Sequence, residues 1–266
     1  MTILVTGATG NIGRRVVDRL VAAGATDVRA LTTNPAKAAL PDEVEVVRGY
    51  VGKPETVPPA LEGVERMYLA PVVETVHEVM ELAVTAGVQH VVDLAGGGWW
   101  QPIEDAVEDS GLAWTHLQPG EFTDNVLIWA EQIRTTGTVR DAYPDAANAP
   151  IAMDDIADVA ARVLLEDGHA GQAYELTGPE TLSRAGKVRA IGAGLGREIP
   201  YIEVSREEAI EQLTPVMGDY AAWYVDLQAD IAAEPPQQPT PTVERLVGRP
   251  AASVEEWAAR HRAEFT

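Results

Sequence analysis

Between Ile3 and Gly24 the chain reads ILVTGATGNIGRRVVDRLVAAG, and this stretch limits the fold more than any other. Ile3, Leu4 and Val5 form a short apolar run. Three glycines follow at a fixed spacing, Gly7, Gly10 and Gly13, and then Val16, Val17, Leu20 and Val21 recur with helical periodicity up to Gly24. A strand, a glycine turn and a helix in that order hold a nucleotide diphosphate. Gly7 turns the chain sharply off the strand, and Gly10 lets backbone N–H groups approach a pyrophosphate. Gly13 lets the helix pack close to the sheet with its positive end toward the phosphates.

Downstream, apolar runs alternate with helical patterns. Strands are predicted at Val28–Leu31, Val44–Val47, Met67–Ala70, Val91–Ala95, Trp114–Leu117 and Ala173–Leu176, with Met67–Ala70 broken by Pro71. Helical spacing occupies the segment with Val76, Val79, Met80, Leu82 and Ala83, which stops at Gly87, and another runs from Ile103 to Asp109. The alternation predicts an α/β fold: a doubly wound parallel Rossmann sheet with a small, mostly helical C-terminal substrate cap. We expect residues 1–150 to be the NAD(P)-binding domain and 151–266 the smaller cap region, with Ile151–Leu176 partly completing the core. Asp154 is read as the N-cap of a helix through Leu165, and Ser205/Glu208 and Ser253/Glu256 as capping boxes. Glu234–Pro241, with its prolines, is read as an extended connector.

In such a sheet, ligands lie beyond the carboxyl ends of the strands. The loops at Gly7–Gly13, Thr32–Asn34, Leu69–Pro71, Leu94–Gly98 and Gln118–Gly120 are therefore expected to face one crevice. An NAD-specific site sets an acidic residue after the second strand. Here Thr32-Thr33-Asn34 stands there, with Lys37 just beyond in a new helix, which favours a 2′-phosphate and hence NADP, with NAD the alternative. Arg48 and Tyr50 leave the third strand toward where an adenine would lie.

The chain has 41 acidic and 20 basic residues, a formal charge of −21, and such a surface repels phosphate backbones, so nucleic acid is not an expected partner. Without cysteine, thiolate metal sites and cysteine nucleophiles are excluded. No apolar run has membrane-spanning length and the first strand starts at residue 2, so a cytoplasmic protein is expected, without membrane partner or signal peptide. No metal is expected either. Asp154, Asp155 and Asp158 are read as helix capping and a solvated face.

Several segments together resemble the NmrA-like group of atypical short-chain dehydrogenase/reductases. They are ILVTGATGNIGRRVV, GVQHVV at Gly87–Val92, SGLAWTHLQPGEFTDN at Ser110–Asn125, IAMDDIADVAARVL at Ile151–Leu164, YELTGPETLS at Tyr174–Ser183 and VERLVGRPAASVEEWAARH near the end. That group includes NADPH-dependent quinone reductases, a reductase of cationic triphenylmethane dyes, and redox-sensing regulators that bind dinucleotide without turnover. The resemblance implies cofactor contacts at Gly7, Thr9, Gly10, Asn11 and Ile12, around Thr32, Thr33, Asn34 and Lys37, along Leu69, Ala70 and Pro71, and at Leu94, Ala95 and Gly96. Many relatives place an arginine where Thr33 stands here, and its loss weakens the case for NADP.

Short-chain dehydrogenases protonate the substrate oxygen with a tyrosine and a lysine four residues later. Counted back from Glu104, those places fall near Gly96 and Trp100, and no Tyr-x-x-x-Lys occurs anywhere in the chain. Hydride transfer then favours acceptors that need little proton donation: quinones, enones and cationic, iminium-like carbons. Gly96–Gly98 would leave room for a flat substrate. Trp99, Trp100, Phe122, Trp129, Tyr220, Trp223 and Tyr224 are candidates for its wall, although the last three recur at i, i+3, i+4, as packing between helices also requires. His77 is the one candidate proton donor, and His116 reads as a core histidine. Two other functions remain beside the reductase: a dinucleotide-responsive regulator binding a protein partner, and an isomerase or cyclase reusing the fold.

Overall fold

A computed structural model of the chain describes residues 1–96 and 98–266. They form two compact units. The first comprises Met1–Pro119, Met153–Leu176 and Thr242–Arg249, and the second comprises Gly120–Ala152, Thr177–Pro241 and Pro250–Thr266.

The first unit is built on a seven-stranded sheet. Its strands are β1 (Thr2–Val5), β2 (Val28–Thr32), β3 (Glu45–Arg48), β4 (Val64–Leu69), β5 (His90–Leu94), β6 (Ala113–Pro119) and the strand Gln172–Leu176. The order is β3-β2-β1-β4-β5-β6 followed by Gln172–Leu176, and every pairing is parallel. All carboxyl ends therefore lie along one edge, and the order reverses direction between β1 and β4, where such sheets open a binding crevice.

The inner strands read as continuous apolar runs because both faces are covered. On one face Met67, Leu69, Val91 and Ala95 pack under Val76, Val79, Met80 and Ala83 of the helix Val76–Ala86 and Ile103, Ala106 and Val107 of the helix Gln101–Asp109. On the other, α1 (Asn11–Ala22) packs against the helix Met153–Leu165. That helix begins one residue before the predicted cap. Asp154 lies in its first turn, where it pairs with Arg19 at 2.7 Å. Asp158 also pairs with Arg19, and Asp155 pairs with Arg249 at 2.7 Å. The expectation of a solvated acidic face is thus corrected, because Asp155 is buried and three arginines, Arg15, Arg19 and Arg249, pair with the row.

A pH dependence is built into the sheet. His90 is buried beside β6, and the Thr115 hydroxyl donates to the His169 carbonyl at 2.7 Å, so His90 Nε2–H must be the donor in the 2.8 Å contact with Thr115. Burial, helped by the nearby Arg66, lowers the His90 pKa from 6.5 to about 4. The unfolded chain therefore takes up this proton first, and stability is full above pH 6.5 and is lost as pH falls toward 4. In urea titrations a His90→Gln variant should lose roughly 2 kcal/mol less than the wild type across that window. Parallel pH curves would contradict this.

The second unit has two small two-stranded sheets that the sequence reading did not include. Ala147–Asn148 pairs with Leu182–Ser183, and Val139–Asp141 pairs with Tyr201–Glu203. Helices Arg184–Leu195, Arg206–Met217, Tyr220–Ala233 and Val254–Arg260 supply most of the rest. Ser253 and Glu256 form the expected reciprocal capping box, whereas Ser205 accepts from the Glu208 N–H and Glu208 turns its carboxylate to Arg140. The segment Gln237–Thr240 has no regular structure.

Candidate functional site

Four loop segments meet along the carboxyl edge of the first unit. Gly7 takes φ +59°, and a Cβ placed there would stand 2.9 Å from the Ala70 Cβ. The first glycine thus brings the β1 turn against the β4 exit. The Thr6 hydroxyl joins the same two strands, donating to the Tyr68 carbonyl at 3.0 Å and accepting the Ala70 N–H at 2.8 Å. Gly10 donates to the Gly7 carbonyl at 2.8 Å, closing the turn. At Gly13 a Cβ would stand 2.3 Å from that carbonyl oxygen, so only glycine lets the first turn of α1 lie on the loop.

No side chain caps α1, and its first turn carries no acid. Helical geometry leaves the N–H groups of Asn11, Ile12 and Gly13 without an intrahelical acceptor. A cradle that any Cβ would fill, with a helix dipole aimed into it, fits a dinucleotide pyrophosphate.

Next along the edge, Thr9 and Thr32 share a hydroxyl hydrogen bond of 3.0 Å across β1 and β2. Thr32 is buried, and Thr33, Asn34 and Lys37 are exposed beyond it. Lys37 ends a single 3₁₀ turn, Pro35–Lys37, where a helix was expected. Toward the other end, Leu94 and Ala95 are buried, and the Ala95 N–H bonds the Leu117 carbonyl at 2.9 Å. Gly96 follows at φ +143°, and a Cβ there would stand 3.3 Å from the Pro119 carbonyl oxygen. The structure therefore gathers Gly7, Thr9, Gly10, Thr32, Leu69, Ala70, Leu94, Ala95 and Gly96 on one edge, with Asn11 and Ile12 opening α1 and Pro71 just past β4. Gly97, in the glycine run expected to give room for a flat substrate, lies outside the described residues.

The candidate wall residues separate. Trp99 is 84 % exposed and Trp100 43 %, on the turn that precedes the helix Gln101–Asp109. In the second unit, Tyr220 and Trp223 are 73 % and 54 % exposed, whereas Tyr224 is buried under the Arg184 guanidinium, 5.5 Å from its ring centre. Helical spacing alone did not reveal that split. Trp129 is buried too and donates its indole N–H to Asp141 at 2.7 Å, so packing accounts for it. Phe122 is half-buried beside a bridge to Ile151. His77 is exposed on an outer groove of about 490 Å³ shared with Glu81, Asp109 and Ser110.

A network beneath the β5 and β6 ends was missed by the sequence reading. Asp93 is buried and bonds His116 Nδ1 at 2.6 Å, while Glu108 reaches His116 Nε2 at 3.2 Å and Trp114 stacks on the ring. Burial, with the Glu104 charge, raises the Asp93 pKa, although the His116 contact opposes this. Burial disfavours the His116 imidazolium, but the Asp93 bond and charge raise its pKa overall. The cue in the sequence was an acid inside an otherwise apolar strand, His90–Leu94. Among the described residues, no group of three or more His, Asp or Glu is set to hold a metal ion, and no helix is long and apolar enough to cross a membrane.

Comparison with known proteins places this edge in context. A family model described as NAD(P)H-binding matches residues 7–102. Over 99 % of both chains, the protein is 34 % identical to a (4-alkanoyl-5-oxo-2,5-dihydrofuran-3-yl)methyl phosphate reductase of Streptomyces griseus. It is also 34 % identical to an NAD(P)H azoreductase of Xenophilus azovorans, again over 99 % of both chains. An NADPH-dependent quinone oxidoreductase of Escherichia coli, solved with NADPH, superposes with a TM-score of 0.86 at 25 % identity, covering 98 % of this chain and 100 % of that one.

Proposed function

The chain belongs to the NmrA-like, NAD(P)H-binding group of atypical short-chain dehydrogenase/reductases, and from that premise we propose that it reduces a small, flat, conjugated acceptor by direct hydride transfer. The observation that carries this is Gly96. At φ +143°, with the Pro119 carbonyl oxygen 3.3 Å from a built Cβ, any L side chain here is strained, and by the count from Glu104 this is near where the family's acid-base tyrosine would fall. With Trp100 near the lysine place, the chain lacks the family's tyrosine-lysine pair at the β5 loop.

Reduced nicotinamide, when bound, supplies the hydride. The protein's part is to hold and orient. Asn11, Ile12 and Gly13 would present N–H groups to the pyrophosphate, and Leu69–Pro71 and Leu94–Gly96 would line the nicotinamide half. An acceptor that spreads the incoming charge over a conjugated system needs no tyrosine to finish the transfer. A butenolide, an azo compound and a quinone, named by the relatives, are all conjugated, electron-poor acceptors. Trp99 and Trp100 offer flat, exposed surfaces for such a ligand. A cytoplasmic location, where reduced dinucleotide is available, belongs to the same reading.

The test is oxidation of NADPH and NADH against quinones, azo and cationic dyes, enones and simple ketones. Turnover of conjugated acceptors with none of simple ketones is expected. Ketone reduction at comparable kcat/KM, or dinucleotide binding without turnover of any acceptor, would overturn the proposal.

A further inference from the structure

Thr32 and Arg48 are register partners across β2 and β3, at the carboxyl ends of both strands. Arg48 is exposed, and its Nε–H reaches back to the Thr33 carbonyl at 3.4 Å. Its guanidinium therefore stands beside the position where relatives carry an arginine and this chain carries a threonine.

The neighbouring cations are not equivalent. Arg14 is bound to Asp18 at 3.1 Å, and Arg29 to Glu45 at 2.7 Å. Arg48 and Lys37 form no ion pair among the described residues, and Thr32–Leu40 contains no carboxylate. In a protein of net charge −21, two cations without an ion pair, joined to a segment Thr32–Leu40 that has no carboxylate, are suited to an anion. Thr32 and Asn34 add polar groups around it, the Asn34 N–H lying 3.4 Å from the Thr32 hydroxyl.

We propose that Arg48, supplied from β3 rather than from β2, takes over recognition of the adenosine 2′-phosphate and makes the protein prefer NADPH to NADH. This rests on the dinucleotide reading given above. A guanidinium grips a phosphate through two parallel N–H bonds, and Lys37 adds a point charge. Nothing in the 2′-hydroxyl of NADH answers that fork.

Calorimetry on the intact protein, with Arg48→Ala and Arg48→Lys, tests it against NADPH, NADH, adenosine 2′,5′-bisphosphate and 5′-AMP. Arg48→Ala is expected to weaken NADPH and the bisphosphate about tenfold or more, and to leave NADH and 5′-AMP within about twofold. Arg48→Lys should recover part of the loss, since charge remains and the fork does not. Equal weakening of NADPH and NADH, or no weakening, would overturn the role of Arg48 and leave the dinucleotide reading standing. A wild-type protein that binds neither dinucleotide would overturn both.

Discussion

Replacing Gly13 by valine is expected to abolish dinucleotide binding and to destabilise the first unit by about 3 kcal/mol. The obstacle is backbone. A Cβ at residue 13 meets the Gly7 carbonyl oxygen at 2.3 Å and its carbon at 2.8 Å, and that carbonyl already accepts the Gly10 N–H. Gly7 cannot retreat, because its own Cα hydrogen faces the Ala70 methyl. Lifting the first turn of α1 off β1 relieves the clash, and this disperses the N–H groups that would meet the pyrophosphate on the reading proposed above. Gly24→Ala is the control. Its φ of +87° strains an alanine by about 1 kcal/mol, but its Cβ meets nothing within 4 Å, so binding should persist. Urea titration and calorimetry read both effects. A Gly13→Val protein that binds NADPH like the wild type would sink this account of the turn.

In the second unit, Asp141→Ala should lower stability by about 3–5 kcal/mol. Asp141 is buried and its carboxylate is fully used. One oxygen accepts the Trp129 indole N–H at 2.7 Å and the Arg184 guanidinium, and the other accepts the Ala142 N–H at 2.8 Å. Arg184 is as deeply buried, 5.0 Å from the Trp129 ring centre and 5.5 Å from that of Tyr224, with the Tyr224 hydroxyl as a further acceptor at 3.3 Å. Burial opposes the cation, but Asp141 overrides this and holds the pKa above the ordinary arginine value. Removing the carboxylate strands that charge among apolar and aromatic neighbours. The double variant Asp141→Leu with Arg184→Met should recover most of the loss, because it removes both desolvation penalties together. Additive losses would show that the pair does not act as a unit.

The parallel sheet was readable because local and global signals coincide in it. Each strand is a short apolar run, each helix has its own period, and the turn at Gly7–Gly13 states its geometry residue by residue. Strand limits moved by a few residues, as at Val64–Leu69 against the expected Met67–Ala70, because Arg66 pairs with Ile3 and His90 and Glu65 sits at a register shift, and neither looks like strand. The second unit was harder for a different reason. Its small sheets use strands of two or three residues, too short to show a period, and its core rests on pairs distant in sequence, such as Asp141 with Arg184 and Glu121 with Lys187. Tyr220, Trp223 and Tyr224 share one helical spacing, yet only Tyr224 faces inward. Spacing reports a face, and what covers it is a tertiary fact. Arg48 was noticed as an exit from β3, but its position beside Thr33 follows from strand register.

The backbone at Gly96 also bears on how the protein can change. Any side-chain acid placed there takes on the strain of φ +143° and crowds the Pro119 carbonyl oxygen at 3.3 Å, whichever L residue brings it. The Pro119 carbonyl must also give way by a few tenths of an ångström, so such a substitution carries a cost in the fold. On the reading proposed above, exchanging one conjugated acceptor for another through the exposed Trp99 and Trp100 costs the fold less than acquiring a proton donor at Gly96.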